Sequence, residues 1–471
     1  MDVERQQRTW RQLPLFEAGT AHERPDTGGD GRTEAVVIEE EQASTASNRE
    51  RALANGLMER ICERENLNRA YKRVKANGGA PGADGMTVQE LYGWIKEHKT
   101  ELIASLLDGS YEPQPVRRKI IPKPGGGERQ LGIPTVVDRL VQQAILQVLS
   151  EILEPQFSEA SYGFRPGRSA HQAVRQAAKH VAEGRVIVID IDLEKFFDRV
   201  NHDVLMSRLA RHVTDKRLLR IVRRFLEAGI MHNGVCVERY EGTPQGGPLS
   251  PLLANLLLDD LDKELERRGH RFCRYADDCN IYVRTQAAGE RVMASITSFL
   301  EERLKLRVNR AKSAVAFVDE RQFLGYRLLR DGRLGLAPRS LKRAKQRIRA
   351  ITRRNRGVSL DRMIQELNNF LSGWVTYFRY AECKGHLRRL DEWIRRKLRC
   401  VRLKQCKRPK TIYDFLHRLG ISKESARKLA GAGRRWWRIA KTPQAHQAMN
   451  KAWFESLGLV SLFQRYAVLQ P

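Results

Sequence analysis

Two adjacent carboxylates, Asp277 and Asp278, lie between two β-prone runs of sequence at 271–275 and 279–284. Like charges this close disfavour each other's ionisation unless a cation lies between them, so the pair is a candidate metal ligand. Aspartate is also common in solvated turns, because its side chain hydrogen-bonds to the neighbouring backbone. An isolated Asp-Asp pair favours the solvated turn, and a second acidic group is needed before metal chemistry is indicated.

A second acidic group follows a short apolar run at 185–191, which is typical of a strand buried on both faces. Asp192 comes directly after this run, and Asp190 shares its side of the strand. Carboxylates at the ends of two neighbouring strands could hold two hard cations through oxygen. Two divalent ions ~4 Å apart stabilise the attacking and leaving oxygens of an in-line phosphoryl displacement. Asp190 has an alternative role, in which it acts as a cap or pairs with a neighbouring arginine.

The composition indicates a polyanionic partner. The 471 residues include 85 Lys and Arg against 56 Asp and Glu, a net charge of +29. A surplus of this size favours nucleic acid first and an acidic membrane surface second. Residues 321–410 hold most of it, with 27 basic and 6 acidic residues. At roughly 150 residues per domain, the length suggests about three domains.

Several protein classes are excluded by the sequence. The longest apolar runs, such as 186–189, are far shorter than the ~20 residues of a membrane helix. The first five residues are acidic and no apolar core follows, so we expect no signal peptide. The seven cysteines form no C-x-x-C pair, which argues against a zinc ribbon or a disulfide framework. We therefore expect a cytoplasmic protein that is not bound to a membrane.

The elements that must position the aspartates are predicted from periodicity and turn residues. Strands at 116–121 and 129–133, around a glycine-rich loop, predict a β-hairpin with a basic tip. Helices are predicted from 49 to 77, from 88 to 107, from 135 or 138 to 153, and from 202 to 226. Charged helices dominate from residue 340, and one carries an aromatic stripe between 367 and 378. Residues 1–48 show no sustained period and indicate a disordered extension.

Seven blocks of sequence resemble, in order, those of the reverse transcriptases encoded by bacterial group II introns, which are also splicing maturases. Residues 188–198 resemble motif A of reverse transcriptases, 241–251 the motif B loop, and Tyr275-Ala276-Asp277-Asp278 the Tyr-X-Asp-Asp of motif C. The other four blocks are 77–85, 122–127, 161–169 and 323–326. The resemblance covers about residues 55–400.

The resemblance implies a site for two Mg²⁺ ions, with Mn²⁺ as a substitute. Its implied ligands are Asp192, Asp277 and Asp278, with the backbone carbonyl of Leu193 as a further oxygen. Motif A places the metal-binding aspartate five residues before an aromatic ring, which selects Asp192 rather than Asp190. That ring, Phe197, is then the expected steric gate against a ribose 2′-hydroxyl. Its alternative is an ordinary core aromatic, as we expect for the neighbouring Phe196.

The resemblance also implies a set of nucleotide contacts. Lys123 and Arg129 match a basic pair that grips the incoming triphosphate, and such cations suit phosphate oxygens. Gln245 matches the motif B residue near nucleotide and template, and Lys312 resembles the motif D lysine that acts on the leaving pyrophosphate. Arg165 matches a fingers arginine. The alternatives are solvated hairpin cations, turn chemistry and a generic surface lysine.

Residues 340–410 resemble the thumb of these enzymes, also called the X or maturase domain. Eight basic residues lie within 342–356, and their mutual repulsion would be relieved by counterion release on binding RNA. The expected RNA-binding residues are Lys342, Arg343, Lys345, Arg347, Arg349, Arg353 and Arg354. The alternative is a merely soluble basic helix.

The expected fold class is α+β, a right-hand polymerase with an all-α thumb. We expect the disordered extension at 1–48, fingers at 49–180, a palm with a ferredoxin-like sheet and helices at 181–335, the thumb at 336–410, and a small helical element at 411–471. Some relatives carry a C-terminal histidine-asparagine-histidine endonuclease with paired cysteines. Such pairs are missing here, so we expect no endonuclease, and we expect His417 and His446 to be packing or surface residues.

The implied activity is RNA-directed DNA polymerisation from deoxynucleoside triphosphates on an RNA template with a DNA primer. The implied second role is binding of group II intron RNA for splicing and mobility, in the cytoplasm and with the nucleoid when DNA is the target. A homodimer is compatible with the sequence. Two alternatives stay open: a non-catalytic RNA-binding splicing factor, and a reverse transcriptase recruited to phage defence or CRISPR spacer acquisition. The intact Asp192, Asp277 and Asp278 argue against the non-catalytic alternative.

Overall fold

The computed structural model describes residues 56–122, 128–232, 235–237, 241–243, 246–433 and 435–470. The predicted extension at 1–48 lies outside the described residues, as do Lys123 at the hairpin tip and Gln245 in the motif B loop. The side chain of Arg129 is also outside them, although its backbone belongs to a strand.

Residues up to 302 form nine helices and seven strands within the described part of the chain. The helices are α1 (Leu57–Cys62), α2 (Arg64–Asn77), α3 (Leu91–Leu107), α4 (Val136–Leu153), α5 (Ala170–Ala182), α6 (His202–Leu209), α7 (Lys216–Glu227), α8 (Ser250–Arg267) and α9 (Gln286–Glu302). The strands are β1 (Val116–Pro122), β2 (Glu128–Ile133), β3 (Ile187–Ile191), β4 (Ile230–His232), β5 (Val235–Val237), β6 (Arg271–Tyr275) and β7 (Asp278–Val283).

The remaining part of the chain is mainly helical. Its strands are β8 (Ala314–Phe317), β9 (Tyr326–Leu328) and β10 (Leu334–Leu336). Its helices are α10 (Pro338–Ile351), α11 (Leu360–Tyr377), α12 (Lys384–Gln405), α13 (Pro409–Arg418), α14 (Lys423–Gly431), α15 (Trp436–Ile439), α16 (Pro443–Ala448), α17 (Lys451–Ser456) and α18 (Leu462–Leu469). None of the described helices has the length and apolar content needed to cross a bilayer.

The central sheet has the strand order expected of a ferredoxin-like palm. Its order is β6-β7-β3-β8, and along the chain α8 precedes β6 while α9 separates β7 from β8. The connection β3-α8-β6-β7-α9-β8 therefore follows the β-α-β-β-α-β pattern. Strand β3 is buried at four of its five positions, and the exception is Asp190. The prediction of a strand buried on both faces is thus confirmed except at that residue.

The predicted hairpin is confirmed. Strands β1 and β2 pair antiparallel, with Arg117 opposite Ile133 and Pro122 opposite Glu128. The four-stranded sheet to which they belong has the order β2-β1-β4-β5. Helix α4 follows directly, and the Thr135 hydroxyl caps it by accepting the Asp138 backbone N–H.

The prediction of one helix from 202 to 226 is wrong. The chain forms α6 and α7 instead, with a break between residue 209 and residue 216. Asp215 begins the second helix, because its carboxylate accepts the Arg217 backbone N–H as an N-cap. The apolar positions keep a helical spacing across the break, so periodicity alone could not reveal it.

The chain divides into two compact units. Unit 1 comprises Met1–Ser169, Ile189–Ile281 and Glu290–Ala314, and unit 2 comprises Ala170–Val188, Tyr282–Gly289 and Val315–Pro471. Helix α5, placed at the end of the fingers by the sequence, groups with unit 2. Helix α5 contacts α11 in that unit, since a His171 ring nitrogen lies 2.7 Å from the Tyr377 carbonyl. The Tyr377 hydroxyl in turn donates to the Leu324 carbonyl at 2.8 Å.

Within unit 2, α10 has one apolar and one basic face. Its buried residues, Ser340, Ala344, Ile348 and Ile351, recur at three- and four-residue spacing, as one face of a helix requires. Its contacts include α11, which buries Leu367 and Leu371 of the predicted aromatic stripe. The basic residues are thereby left on the other side of α10.

Candidate active site

Two contacts show how the strands that carry the aspartates are paired. The Asn280 amide on β7 donates to the Asp190 carboxylate on β3 at 3.0 Å. At the other ends of these strands, a Cβ atom built on Gly289 would lie 3.4 Å from Ile187 Cγ2 and 3.5 Å from Val283 Cγ2. Both contacts fit a single antiparallel register, in which each step forward along β3 is matched by one step back along β7.

Continued by two residues beyond Asp190, the same register would place Asp192 opposite Asp278. Asp192 comes two residues after Asp190, and Asp278 comes two residues before Asn280, so all four side chains belong to one face. Asp277 lies one residue earlier, in the turn between β6 and β7. We call Asp192, Asp277, Asp278 and the Leu193 carbonyl the aspartate corner; its three carboxylate residues are all half-buried.

The backbone of Asp192 is fixed by the segment that precedes β8. The Asn309 N–H donates to the Asp192 carbonyl at 2.8 Å, and the Asp192 N–H donates to the Ser313 hydroxyl at 3.0 Å. Leu193 pairs with Val308 in an antiparallel bridge, flanked by these bonds and by the Glu194 N–H on the Arg307 carbonyl. In such a pair the Leu193 carbonyl points away from Val308, so this bridge leaves it available as an oxygen ligand.

A cation already lies beside one of the carboxylates. Lys312 Nζ is 3.5 Å from Asp192 Oδ2, and the two side chains are 68% and 41% exposed. An ion pair this exposed contributes little to stability, about 0–1 kcal/mol. Its interest is chemical, because it brings the predicted motif D lysine to the predicted metal ligand.

The donors of the aspartate corner fit a hard divalent cation. They are all oxygens, from carboxylates and one backbone carbonyl, which is the donor set that Mg²⁺ prefers. Within the described part of the chain, no group of three or more His, Cys, Asp or Glu side chains is close enough to hold a metal ion. The two-ion site therefore stays a prediction, supported by the oxygen donors and by the ammonium group beside Asp192.

A buried polar network lies under the turn between β6 and β7, and sequence reasoning missed it. The guanidinium of Arg274, on β6, is fully buried and donates to both oxygens of Asp262 at 2.7 and 2.5 Å. Burial alone would lower the pKa of Arg274, but the adjacent Asp262 carboxylate raises that pKa above its usual value. Arg274 also donates to Asn255 Oδ1 at 3.0 Å, to the Ala276 carbonyl at 3.0 Å and to the Ser161 hydroxyl at 2.8 Å.

One signal could have revealed this network. Asn255 and Asp262 interrupt the leucine-rich face of α8 at a helical spacing, and both are buried. A buried carboxylate needs a cationic partner, and Arg274 directly precedes motif C.

The two aromatic rings of motif A differ in burial. Phe196 is 3% exposed, which confirms the prediction that it is a core residue, whereas Phe197 is half-buried. The Phe197 carbonyl accepts the Thr243 N–H at 2.7 Å, which ties motif A to the motif B loop. Gly242 permits this approach, because a Cβ there would lie 2.8 Å from the Asp198 carbonyl oxygen and φ is +89°. The gate function of Phe197 stays a prediction.

Further glycines let the motif B loop pack closely against β2 and α4. A Cβ on Gly246 would overlap the Gly132 carbonyl at the end of β2, and one on Gly247 would overlap the Gln142 side chain of α4. The loop is thus attached to the fingers hairpin and to α4 directly after the position of Gln245.

The contacts of Arg165 revise its predicted role. Its side chain is 5% exposed and pairs with the Glu154 carboxylate at 2.8 Å. The same guanidinium donates to the carbonyls of Ser158, Ser161 and Glu154 at 2.6, 3.0 and 3.0 Å. A group committed in this way supports the loop around it, so these contacts favour a structural role over the predicted nucleotide contact.

Most of the predicted RNA-binding residues face solvent. Lys342, Arg343, Arg349, Arg353 and Arg354 are exposed, whereas Lys345 and Arg347 are half-buried. Two of them contact neighbours on α12: the Arg349 guanidinium lies 5.5 Å from the Trp393 ring centroid, and Arg354 donates to the Cys400 sulfur at 3.6 Å. We call this set the basic surface. His417 and His446 are exposed, as expected of surface residues.

Comparison with known proteins identifies two family domains. Residues 121–328 match the reverse transcriptase (RNA-dependent DNA polymerase) family, and residues 341–420 match the maturase-specific domain of group II introns. The first range contains the aspartate corner and the second contains the whole basic surface.

Individual relatives agree with these domains. Protein YkfC of Escherichia coli is 34% identical over 316 residues, 58% of this chain and 83% of that protein. The group II intron-encoded protein LtrA of Lactococcus lactis is 40% identical over 195 residues, 41% of this chain but 32% of LtrA. Among solved structures, a partial Cas6-RT-Cas1–Cas2 complex matches 52% of this chain and 42% of that one at 26% identity and a TM-score of 0.34, too loose a superposition to compare functions.

Proposed function

The chain belongs to the group II intron family of reverse transcriptases and maturases, and we propose that the aspartate corner is its polymerase site. The reaction is template-directed addition of deoxynucleotides, in which a primer 3′-hydroxyl attacks the α-phosphate of an incoming triphosphate. The proposal is supported by the Asn280–Asp190 hydrogen bond, which joins β7 to β3 two residues from Asp278 and two from Asp192.

In this proposal the residues of the aspartate corner bind the metal ions, and neighbouring residues keep them in place. Asp192, Asp277 and Asp278 would hold two Mg²⁺ ions, with the Leu193 carbonyl as an additional donor. Bound there, the ions supply Lewis-acid stabilisation of the attacking and leaving oxygens. Asn309 and Ser313 keep the Asp192 backbone in place, which fixes the direction of its carboxylate.

Lys312 has its task at the leaving group. Its ammonium lies 3.5 Å from Asp192 Oδ2, so it is within reach of phosphates that bind at the same corner. Its three N–H donors suit pyrophosphate oxygens, and it neutralises the charge that develops when the pyrophosphate departs.

Selection and grip of the nucleotide come from the neighbouring segments. Phe197, half-buried beside the motif B loop, excludes a ribose 2′-hydroxyl and so favours deoxynucleotides. Lys123 and Arg129 bind the triphosphate from the hairpin, and Gln245 contacts nucleotide and template.

The maturase-specific domain implies binding of intron RNA. We assign this contact to the basic surface on and after α10, because its exposed cations are free to approach RNA phosphates from one side. Counterion release makes such binding strongly dependent on salt.

Primer extension on an RNA template tests the polymerase site. We expect the wild type to extend a DNA primer with Mg²⁺, and we expect Asp277→Asn to lose extension while it keeps its affinity for structured RNA. Unchanged extension in Asp277→Asn would refute the metal assignment. A wild type that binds intron RNA but never extends a primer would leave only the binding role.

A further inference from the structure

We propose that Arg274 is a positioning residue for the polymerase site, through a clamp formed by Arg274, Asp262, Asn255, Ser161 and Gly163. This hairpin clamp holds the backbone of the turn that carries Asp277 in a single conformation. The inference rests on the proposed polymerase function.

The turn needs support because its backbone is unfavourable. Ala276 has φ of +58°, in the left-handed region that a residue with a Cβ rarely adopts. Such a conformation is unfavourable and persists only where surrounding contacts hold it. Asp277 and Asp278 come next along the chain, so the torsions of Ala276 set the direction of both carboxylates.

Arg274 supplies that support from below. A guanidinium has five N–H donors, and all five of Arg274 are used: two on Asp262, one on Asn255, one on Ser161 and one on the Ala276 carbonyl. The last bond joins the buried pair directly to the strained residue. Because the guanidinium is planar and fixed by its other four bonds, it holds the Ala276 carbonyl in a defined position.

The backbone of the segment at 160–163 also supports the turn. The Tyr162 N–H donates to the Arg274 carbonyl and the Arg274 N–H donates to the Ala160 carbonyl, both at 2.9 Å. At Gly163 the two backbones touch, since a Cβ there would overlap the Ala276 nitrogen. The Asn255 amide donates to the Gly163 carbonyl at 2.8 Å, so one side chain joins both halves of the clamp.

A loosened turn would affect metal binding before it affects substrate binding. Mg²⁺ demands near-ideal octahedral geometry, with oxygens at about 2.0–2.1 Å, so small displacements of Asp277 weaken its site. In the proposed function the incoming triphosphate is bound by other parts of the chain, namely the β1–β2 hairpin and the motif B loop. The hairpin clamp therefore predicts a change in Mg²⁺ dependence and kcat with little change in KM for the nucleotide.

Arg274→Lys is the main test variant. A lysine keeps the buried charge beside Asp262, but its three donors at one point cannot reach all four partners. We expect kcat for primer extension to fall about tenfold or more and the half-saturating Mg²⁺ concentration to rise several-fold, with KM for the nucleotide within about twofold of wild type. Ser161→Ala, which removes one bond, should shift the Mg²⁺ midpoint in the same direction by a smaller factor.

Arg208→Lys is the matched control. Arg208, on α6, pairs with Asp260 at 2.8 Å. Asp260 lies on α8, the helix that also carries Asp262, but Arg208 contacts no part of the turn. It should lose comparable or less thermal stability and keep the wild-type Mg²⁺ midpoint. Equal Mg²⁺ midpoints in wild type and Arg274→Lys would overturn the inference; if that variant does not fold, an unchanged midpoint in Ser161→Ala would overturn it. A wild type without extension would instead refute the proposed function.

Discussion

The aspartate corner and the basic surface are built in opposite ways. At the corner, the Asp192 N–H donates to the Ser313 hydroxyl, and the Ala276 carbonyl just before Asp277 accepts a bond from the fully buried Arg274. On the basic surface, most of the cations are exposed on a helix whose other face does the packing. Metal chemistry needs positions accurate to fractions of an ångström, whereas attraction to a phosphate backbone needs only charge at the surface.

We therefore expect a single substitution at the corner to reduce activity more than the loss of several charges on the basic surface. Asp192→Asn removes one negative ligand and should reduce primer extension by about a thousandfold, a loss typical of missing transition-state electrostatics. Asp190→Asn is the matched control, two residues away on the same face, where the new side chain can still accept the Asn280 amide. Equal losses in the two variants would show that the face, rather than Asp192, is what matters.

Neutralisation of the basic surface should have the next largest effect. The triple variant Lys342→Gln, Arg343→Gln and Arg349→Gln removes three exposed cations. We expect the slope of log affinity for structured RNA against log salt concentration to fall by about 2 to 3, with extension on a short template changed less than twofold. Lys72→Gln, Arg73→Gln and Lys75→Gln on α2 remove the same charge elsewhere, and an equal change of slope there would argue against a dedicated surface.

A smaller effect is expected from the support of Asp192. Ser313→Ala removes the hydroxyl that accepts the Asp192 N–H, without touching a ligand or a cation. We expect kcat to fall about three- to tenfold with the melting temperature nearly unchanged, because one neutral hydrogen bond contributes about 1 kcal/mol. Ser298→Ala, which removes an exposed bond to Glu302, should leave kcat at the wild-type value.

The two units should also respond differently to pH. In unit 1, burial raises the pKa of Asp138 to about 6, against the opposing effect of hydrogen bonds from Thr135 and Tyr111. In unit 2, burial lowers the pKa of His171 below its ordinary value. Because the pKa of the Asp138 carboxyl is raised in the folded state, its contribution to the free energy of unfolding is largest below pH 4. That contribution is lost as pH rises towards 6. A lowered histidine pKa acts in the other direction: the stability present above pH 6.5 is lost as pH falls.

Hydrogen exchange measured across this pH range would check both signs. Protection of the peptide 111–149 should decrease by up to about 3 kcal/mol between pH 4 and pH 6, and Asp138→Asn should remove most of that slope. Protection around 171 and 377 should decrease as the solution becomes more acidic than pH 6.5, and His171→Gln should remove that dependence. The same slope in both peptides would contradict the assignment to these two groups.

The parts of the molecule that could be predicted from sequence are those specified by neighbouring residues. The β1–β2 hairpin follows from a glycine-rich loop between two strand patterns, and β3 follows from a run of branched apolar residues. The pairing of Asp192 with the motif C hairpin was implied by the family resemblance. The hairpin and β3 need no information about distant partners.

The parts that were missed depend on partners far away in the chain or on one residue within a continuous pattern. Arg274 meets Ser161 across more than a hundred positions, so nothing near β6 announces the contact. Arg165 matched a family block, but the sequence does not reveal that the surrounding loop buries its side chain. The break between α6 and α7 rests on the single cap Asp215.

The register between β3 and β7 restricts how the length of this chain can change. Because alternate residues of a strand point to opposite faces, removal of one residue from 187–191 would turn Asp192 towards the apolar side of the sheet. Its oxygens would then meet α9 rather than the face shared with Asp278. Insertions and deletions of one residue are consequently incompatible with β3.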